Sequence, residues 1–233
     1  MRFTISKQIF EKYPGFVCGA LVCKDIHNSG VSEEALGLLK EAESGIKAQF
    51  SLENLSQVPF FAAWRRAYSL FGAEPSRFKC SSEAIARRVL KGDSIRHINK
   101  LVDVYNYISM KYRTPVGGED LAKIDGDISL GFSEGGEPFV PLGVSEVEHP
   151  DKGEVIYADG KEVICRRWNW RESEKTKLTE GTREAFLAID ALPPLTRDEV
   201  SSALDEFAGL VRRICSSEVT TFMLDSENAE IAW

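Results

Sequence analysis

Ile98-Asn99-Lys100-Leu101-Val102-Asp103-Val104-Tyr105-Asn106-Tyr107-Ile108 opens a stretch that continues to Thr114-Pro115 and then Val116-Gly117-Gly118-Glu119-Asp120-Leu121. Ile98, Leu101, Val102, Tyr105 and Ile108 recur at helical spacing, which predicts a helix reaching Tyr112. Asn99, Asp103 and Asn106 share an adjoining stripe of that helix. Asn and Asp compete with the backbone for hydrogen bonds and are poor helix formers, so the stripe is either a solvated face or a hydrogen-bonding wall. Beyond Pro115 the adjacent glycines read as a sterically permissive turn.

Working toward the N-terminus, Ser81 is placed to cap a short helix that buries Ile85 and Val89 and turns Arg87, Arg88 and Lys91 outward until Gly92. Phe60, Phe61, Trp64, Ala67, Tyr68 and Phe71 predict a helix after Pro59, with the aromatic stripe as core. Ser32 heads another, carrying Ala35, Leu39, Ala42 and Ile46, and Phe16 to Val22 reads as a strand. Toward the C-terminus, Ser129 to Phe132 and Phe139 to Leu142 flank Glu134-Gly135-Gly136-Glu137 as a predicted hairpin. A second hairpin joins Val155 to Ala158 and Glu162 to Cys165 through Asp159-Gly160. Ala185, Phe186 and Ile189 predict a helix. Thr196-x-x-Glu199 then forms a capping box before Val200, Leu204, Phe207, Val211 and Ile214, and Val219 to Leu224 closes as a strand. Helices, then hairpins, then helices and a last strand make an α+β protein, with antiparallel or mixed sheets flanked by helices. Neither a repeat nor a Pro/Ser-rich linker interrupts it, so residues 1–233 read as a single domain.

A chain of 233 residues with 43% apolar composition can furnish one sizeable core. Its longest apolar run is only Gly19 to Cys23, and Met1 to Lys12 mixes charged with apolar residues, so neither a membrane span nor a secretion signal is expected. Cys18, Cys23, Cys80, Cys165 and Cys215 are odd in number and lack C-x-x-C spacing, which points to reduced thiols and a cytoplasmic setting. His27, His97 and His149 are isolated, so no metal is expected, and no P-loop or dinucleotide fingerprint calls for a cofactor. His97 near Asp103 and Asn106 is either a base or a surface histidine. The net charge of −7 disfavours non-specific nucleic-acid binding. Clusters at Arg65-Arg66, Arg87-Arg88-Lys91 and Arg166-Arg167 through Lys175 leave open a local phosphate-binding face beside the plain reading of solvated helix faces.

The residues left for chemistry are Asn106 and Asp103 on the long helix, Gly117-Gly118-Glu119-Asp120 past its end, and the Gly135-Gly136 hairpin. Paired glycines leave backbone N–H groups open to a substrate oxygen, and a nearby carboxylate can activate water. Plain turns would account for the same glycines.

The stretch from Ile98 to Ile108 resembles the N-x-V-V-D-x-T-N-Y-V helix of the B3/B4 editing domain in bacterial phenylalanyl-tRNA synthetase β chains. The likeness continues through Pro115 and Gly117 to Asp120, Gly135-Gly136-Glu137-Pro138-Phe139-Val140-Pro141-Leu142-Gly143, and Cys165-Arg166-Arg167-Trp168-Asn169-Trp170-Arg171. These later segments look more like stand-alone B3/B4 proteins, and the likeness covers Cys80 to Arg171. It implies the B3/B4 fold and a trans-acting hydrolase of a mischarged aminoacyl-tRNA ester. In the synthetase the domain removes tyrosine from the phenylalanine tRNA. The family's pocket asparagine falls on Asn106, which would hold the aminoacyl group or terminal ribose. Glycine N–H groups would receive the carbonyl oxygen, and Glu119 or Asp120 would orient water. Asp103, Gly117, Gly118, Gly135, Gly136 and Cys165 would complete the substrate pocket. Arg87, Arg88, Arg166, Arg167 and Lys175 would meet the tRNA 3′ end. Two departures matter: the family's histidine falls on Gly117, and its tyrosine-reading glutamate falls near Cys165 or Arg166, where the nearest acid on that strand is Glu162. These departures bear on tyrosine selectivity, since reading a hydroxyl needs a placed polar partner. Two other readings stand beside this one: a non-catalytic module that binds a free amino acid or RNA, and an interaction protein with a vestigial cleft.

Overall fold

Side chains alternate across a strand, so a strand apolar on both faces must lie between two layers. That pattern governs this protein. The computed structural model describes residues 1–233. In chain order it has β1 (Arg2–Ile5), α1 (Lys7–Lys12), β2 (Val17–Lys24), α2 (Glu33–Gln49), α3 (Pro59–Leu70), α4 (Ser81–Leu90), α5 (Lys100–Tyr112), β3 (Val116–Asp120), β4 (Ile128–Phe132), β5 (Val155–Ala158), β6 (Val163–Arg166), β7 (Arg171–Glu172), β8 (Ala185–Ala191), α6 (Arg197–Cys215), β9 (Glu218–Leu224) and β10 (Glu230–Ala232).

The strands form a six-stranded sheet, ordered β10-β1-β4-β5-β6-β7, and a four-stranded sheet, ordered β3-β8-β2-β9. Only β1 and β4 pair in parallel. On β2 and β8, Leu21, Cys23, Leu187 and Ile189 join a core with α2, α5 and α6. Cys18, Ala20, Val22, Phe186 and Ala188 point the other way, into a second core with the six-stranded sheet, Trp64 and Tyr68. The result is helices on the smaller sheet, and the smaller sheet on the larger one.

The predicted helices at α2, α3, α5 and α6 form, and their ends show why. Ser32 Oγ accepts from the Ala35 N–H at 3.2 Å, Pro59 occupies the first turn of α3, and Thr196 and Glu199 complete the capping box of α6. The Asp159-Gly160 hairpin forms between β5 and β6. Four expectations need correction. Ala185, Phe186 and Ile189 belong to β8 and not to a helix, because all seven residues are buried between β3 and β2 with apolar groups on both faces. Ser129 to Phe132 pairs with β5, and Phe139 to Leu142 is left with isolated bridges to Glu148 and Ser173, so the Gly135-Gly136 loop closes no hairpin. Ser81 is the first residue of α4, while Cys80 holds the cap position.

The fourth correction concerns the paired glycines, which lie within β3 and make no turn. A Cβ on Gly118 would sit 2.3 Å from Leu187 Cδ2 and 2.8 Å from the Phe186 carbonyl oxygen. Glycine is needed for the approach of β3 to β8. Gly118→Ala is therefore expected to destabilise the fold by about 1–3 kcal/mol in urea unfolding. Gly117→Ala should cost less, because its Cβ would meet only the Glu172 carboxylate end, at 2.8 Å from Oε1. Equal and negligible losses would contradict the strand spacing.

Candidate functional site

Alternation along β3 and β8 turns Gly117 and Glu119, with Phe186, Ala188 and Asp190, toward the larger sheet. Tyr157, Cys165 and Glu172 answer from β5, β6 and β7, and the Trp168-Asn169 turn and Ser81 close the ends. Between them lies a narrow pocket with about 30 Å³ of water-accessible space, room for one or two water-sized groups, that opens to the surface. Cys165 and Glu172 are directly paired across β6 and β7. The hairpin turn between those strands holds two consecutive non-glycine residues in the left-handed region, Arg167 at φ 46° and Trp168 at φ 66°. Such strain persists only where surrounding contacts over-determine it. Here the Trp168 ring meets Tyr13, Phe16 and Trp64 at centroid distances of 4.8, 5.0 and 5.0 Å.

The wall carries polar atoms that no protein group satisfies. Ser81 Oγ, Glu119 Oε2, Trp168 Nε1 and Glu172 Oε2 are all buried and without a hydrogen-bond partner. Burial is the main force on the two glutamates. It drives the Glu119 carboxyl well above the usual carboxylate range, and the adjacent Glu172 charge adds to it. The Thr176 hydroxyl nearby pulls the other way, although neither its Oγ1 nor Glu119 Oε2 completes a hydrogen bond. Glu172 is pushed up to about 7, again chiefly by burial, with Glu119 and Cys165 opposing and the Asp190 charge adding. Two carboxyls so placed hold one proton between them near neutrality. Burial likewise raises Asp190 to about 6, offset by its donors. The Tyr157 hydroxyl donates to Asp190 Oδ1 at 2.6 Å, and Asn169 Nδ2 donates to Oδ2 at 3.1 Å. The Tyr68 hydroxyl in turn donates to Asn169 Oδ1 at 3.0 Å. Asp190 is thus held by its network, whereas the glutamate pair stays open to an incoming group.

Of the residues expected at the site, Gly117, Gly118, Glu119 and Cys165 line this pocket. The β3–β8 register turns the Gly118 N–H away from β8, toward the edge where the next outward amide, that of Asp120, donates to the Thr176 carbonyl at 2.8 Å. The Asp120 carboxylate accepts from the Ala122 N–H at 3.0 Å and the Thr182 hydroxyl at 2.7 Å, which ties it to a structural turn. Asp103 is fully buried against His97 Nδ1 at 2.5 Å, so both are engaged in holding the start of α5. Asn99 caps that helix, accepting from the Val102 N–H at 3.0 Å, so the polar stripe is structural at these two positions. Asn106 is nearly buried on α5 and lies off the pocket wall. The α5 side chain that senses the pair is Tyr105, its phenol raised first by burial and then by Glu172 and Glu119. Gly135 and Gly136 belong to an exposed loop away from the pocket. Glu162 binds Lys175 at 2.8 Å and does not replace the expected glutamate. Glu172 stands across from Cys165 instead, in space that a side chain at position 117 would have to enter.

The basic residues divide. Arg166 is 4% exposed and bidentate to Glu154 through Nε at 2.9 Å and Nη2 at 2.8 Å, with Glu148 at 2.8 Å, so it is unavailable to phosphate. Lys175 is enclosed by Asp125, Asp159 and Glu162, each at 2.8 Å. Arg87 pairs with the buried Glu83 at 2.8 Å, and Arg88 is exposed with no ion-pair partner. Arg167 is mostly buried, with Nη2 3.7 Å from Glu154, and stacks 3.8 Å from the Phe78 ring centre and 4.8 Å from that of Trp170. The Ser81 N–H donates to the Asn169 carbonyl at 3.1 Å, and Phe78, just before it in sequence, packs on Trp170 with ring centres 4.9 Å apart. Burial lowers the Lys79 ammonium; Glu83 opposes this, while Arg87, Arg65 and Lys91 reinforce it, as expected where several cations crowd one face.

Ser81, Tyr157, Trp168, Asn169, Glu172 and Asp190 were not among the expected site residues, since they come from distant segments. One signal was available. Asp190 is a lone acid within the apolar run Ala185 to Ala191, and a charge there calls for a buried role.

Residues 63–216 match the family model described as the B3/4 domain. Over 75 residues the chain is 39% identical to the phenylalanine–tRNA ligase β subunit of Chromobacterium violaceum, covering 32% of this chain and 10% of that one. Over 112 residues it is 38% identical to the same subunit of Legionella pneumophila strain Paris, covering 48% of this chain and 14% of that one. The chain thus spans only a small part of the length of the curated relatives it matches. Among solved structures it is similar to an N-terminal fragment of the phenylalanyl-tRNA synthetase β subunit from Pyrococcus horikoshii, at 13% identity and a TM-score of 0.48, covering 96% of this chain and 54% of that one. With the family match running from α3 through α6 and containing the whole pocket wall, the chain belongs to the B3/4 domain family.

Proposed function

We propose that the protein acts in trans on an aminoacyl-tRNA, hydrolysing a mischarged aminoacyl ester at the tRNA 3′ end. The observation that supports this reading is the Glu119–Glu172 pair on the pocket wall, inside the family match, with a proton available near pH 7. A carboxyl poised near the working pH can both take and return a proton. In this mechanism the ionised member of the pair accepts a proton from water as the water oxygen bonds to the ester carbonyl carbon. The carbonyl oxygen is received by donors at the wall, with the Gly118 N–H and the Trp168 indole N–H as candidates. The proton then passes to the ribose oxygen as the carbon–oxygen bond breaks. Arg167, Lys79 and Arg88 stand nearest in character to a phosphate-contacting rim, with Phe78 and Trp170 as partly buried faces for a terminal base.

The test is loss of label from a panel of misacylated tRNAs. Wild-type protein should cleave at least one ester, and Glu119→Gln and Glu172→Gln should each slow it by at least about tenfold. Arg167→Ala should weaken tRNA binding and flatten its salt dependence without matching that loss in the single-turnover cleavage rate. The absence of a side chain at Gly117 favours a second reading, a module that binds an aminoacyl group without cleaving it. Saturable binding with every ester intact would establish that reading in place of the first.

A further inference from the structure

The pocket is one-sided in charge. Glu119, Glu172 and Asp190 line it, and no lysine, arginine or histidine does. Asp190 has its donors, but no protein donor reaches Glu119 Oε2 or Glu172 Oε2. A buried carboxylate without a donor or counter-charge is costly, and the resting protein meets that cost by keeping a proton on the pair. The groups facing the pair from the surrounding elements are Asp190 on β8, Cys165 on β6, Tyr105 on α5, and Asp159 beyond β5. None of them supplies a positive charge. Trp168, another residue of the lining, has a fully buried indole N–H without an acceptor. The unfilled requirements are therefore a cationic donor for the two glutamates and an oxygen for the tryptophan.

We infer that the pocket binds a primary ammonium group through Glu119 and Glu172, and so admits an amino acid whose carboxyl is esterified or amidated in preference to the free acid. This deepens the aminoacyl-ester reading of the site but rests on the charge of the ligand alone. A free amino acid would carry its carboxylate into a pocket with three acidic groups and no cation, where like charges repel. An ester or amide offers the ammonium without that penalty, and its carbonyl oxygen can accept from Trp168 Nε1. On entry the ammonium takes the place of the shared proton, which leaves for solvent. The pair is then two carboxylates around one ammonium, and the net charge of the pocket is unchanged. Binding also leaves the pair ionised, the state in which it can take a proton from water.

The experiment is calorimetric titration of the full chain at pH 6.5 with glycinamide, alaninamide, serinamide and tyrosinamide, each beside its free amino acid and its N-acetyl amide. At least one free-amine amide should bind about tenfold or more tightly than both counterparts, because a site built around a charged partner rejects analogues that lack it. Its binding heat should vary with the ionisation enthalpy of the buffer in the sense of proton release. The Glu119→Gln, Glu172→Gln double variant should lose both the preference and the proton release while unfolding no earlier in urea than wild type. Equal binding of N-acetyl amides or free acids, proton uptake, or no binding of any amide at millimolar concentration would each overturn the inference. Its fate separates from that of the editing reading. If N-acetylaminoacyl-tRNA is cleaved as fast as aminoacyl-tRNA, editing stands and the ammonium site falls. If amides bind with proton release and no tRNA ester is cleaved, the reverse holds.

Discussion

Replacing Arg166 by alanine is expected to destabilise the protein by about 3–5 kcal/mol, the loss typical of removing one partner from a buried ion pair. The loss comes from what remains. Glu154 is 3% exposed and accepts from Arg166 Nε and Nη2, so truncation strands a carboxylate that water cannot reach. Arg167 remains, its N–H donating to Glu154 at 3.0 Å and its Nη2 at 3.7 Å from Oε2, but this longer contact replaces only part of the bidentate pair. Replacing both partners with apolar residues of similar volume, as in Arg166→Met with Glu154→Leu, should recover much of the loss. Urea unfolding at pH 7 measures both variants. A single variant as stable as wild type would contradict the buried pair. Arg167→Ala removes a longer contact to the same carboxylate, 3.7 Å against 2.8 Å, and should cost less stability.

The second large effect is one of pH. Stability is expected to be greatest in mild acid and to fall as pH rises through about 7, with Glu172→Gln removing part of that fall. The sign follows from proton binding. Glu172 is raised from an ordinary 4.5 to about 7 by burial beside Glu119. Between those values the folded protein holds a proton that the unfolded chain has released. Its contribution is therefore complete below about pH 4.5 and is lost as the proton leaves the folded state. With Glu172 partly open to solvent, the change amounts to about 2 kcal/mol. Glu119, raised chiefly by its own burial, and Asp190, raised to about 6, act in the same direction and persist in the variant, leaving a shallower slope. Glutamine keeps the shape and offers an amide donor to Glu119, so the variant should be more stable than wild type at pH 8 by a similar amount. Urea midpoints at pH 5 and pH 8 decide it, and a wild type that gains stability across that interval would rule out a shared proton.

Elements with local signatures were legible in the sequence. Ser32, Pro59 and the Thr196–Glu199 box mark helix starts whose physics lies within four residues, and Asp159-Gly160 marks a turn of the same reach. What sequence reading missed is set by distant partners. Ala185 to Ala191 has no helix-or-strand signature in isolation, because apolar groups on every side suit a buried strand as well as a helix. Gly117 and Gly118 were expected in a turn and lie in a strand, since nothing nearby in sequence says that Leu187 and Glu172 press against them. The site divides in the same way. Glu119 was reached from its neighbours, whereas Glu172 meets it only after β7 closes on β6 and the two sheets stack.

Arg167 and Trp168 share one strained turn, the first facing the aromatic rim and the second sealed in the pocket wall. Adjacent residues with fixed dihedrals move as a crank: a few degrees of rotation about one is a displacement of the other. The Arg167–Phe78 stack outside and the Trp168 ring inside are thus fixed by one backbone joint.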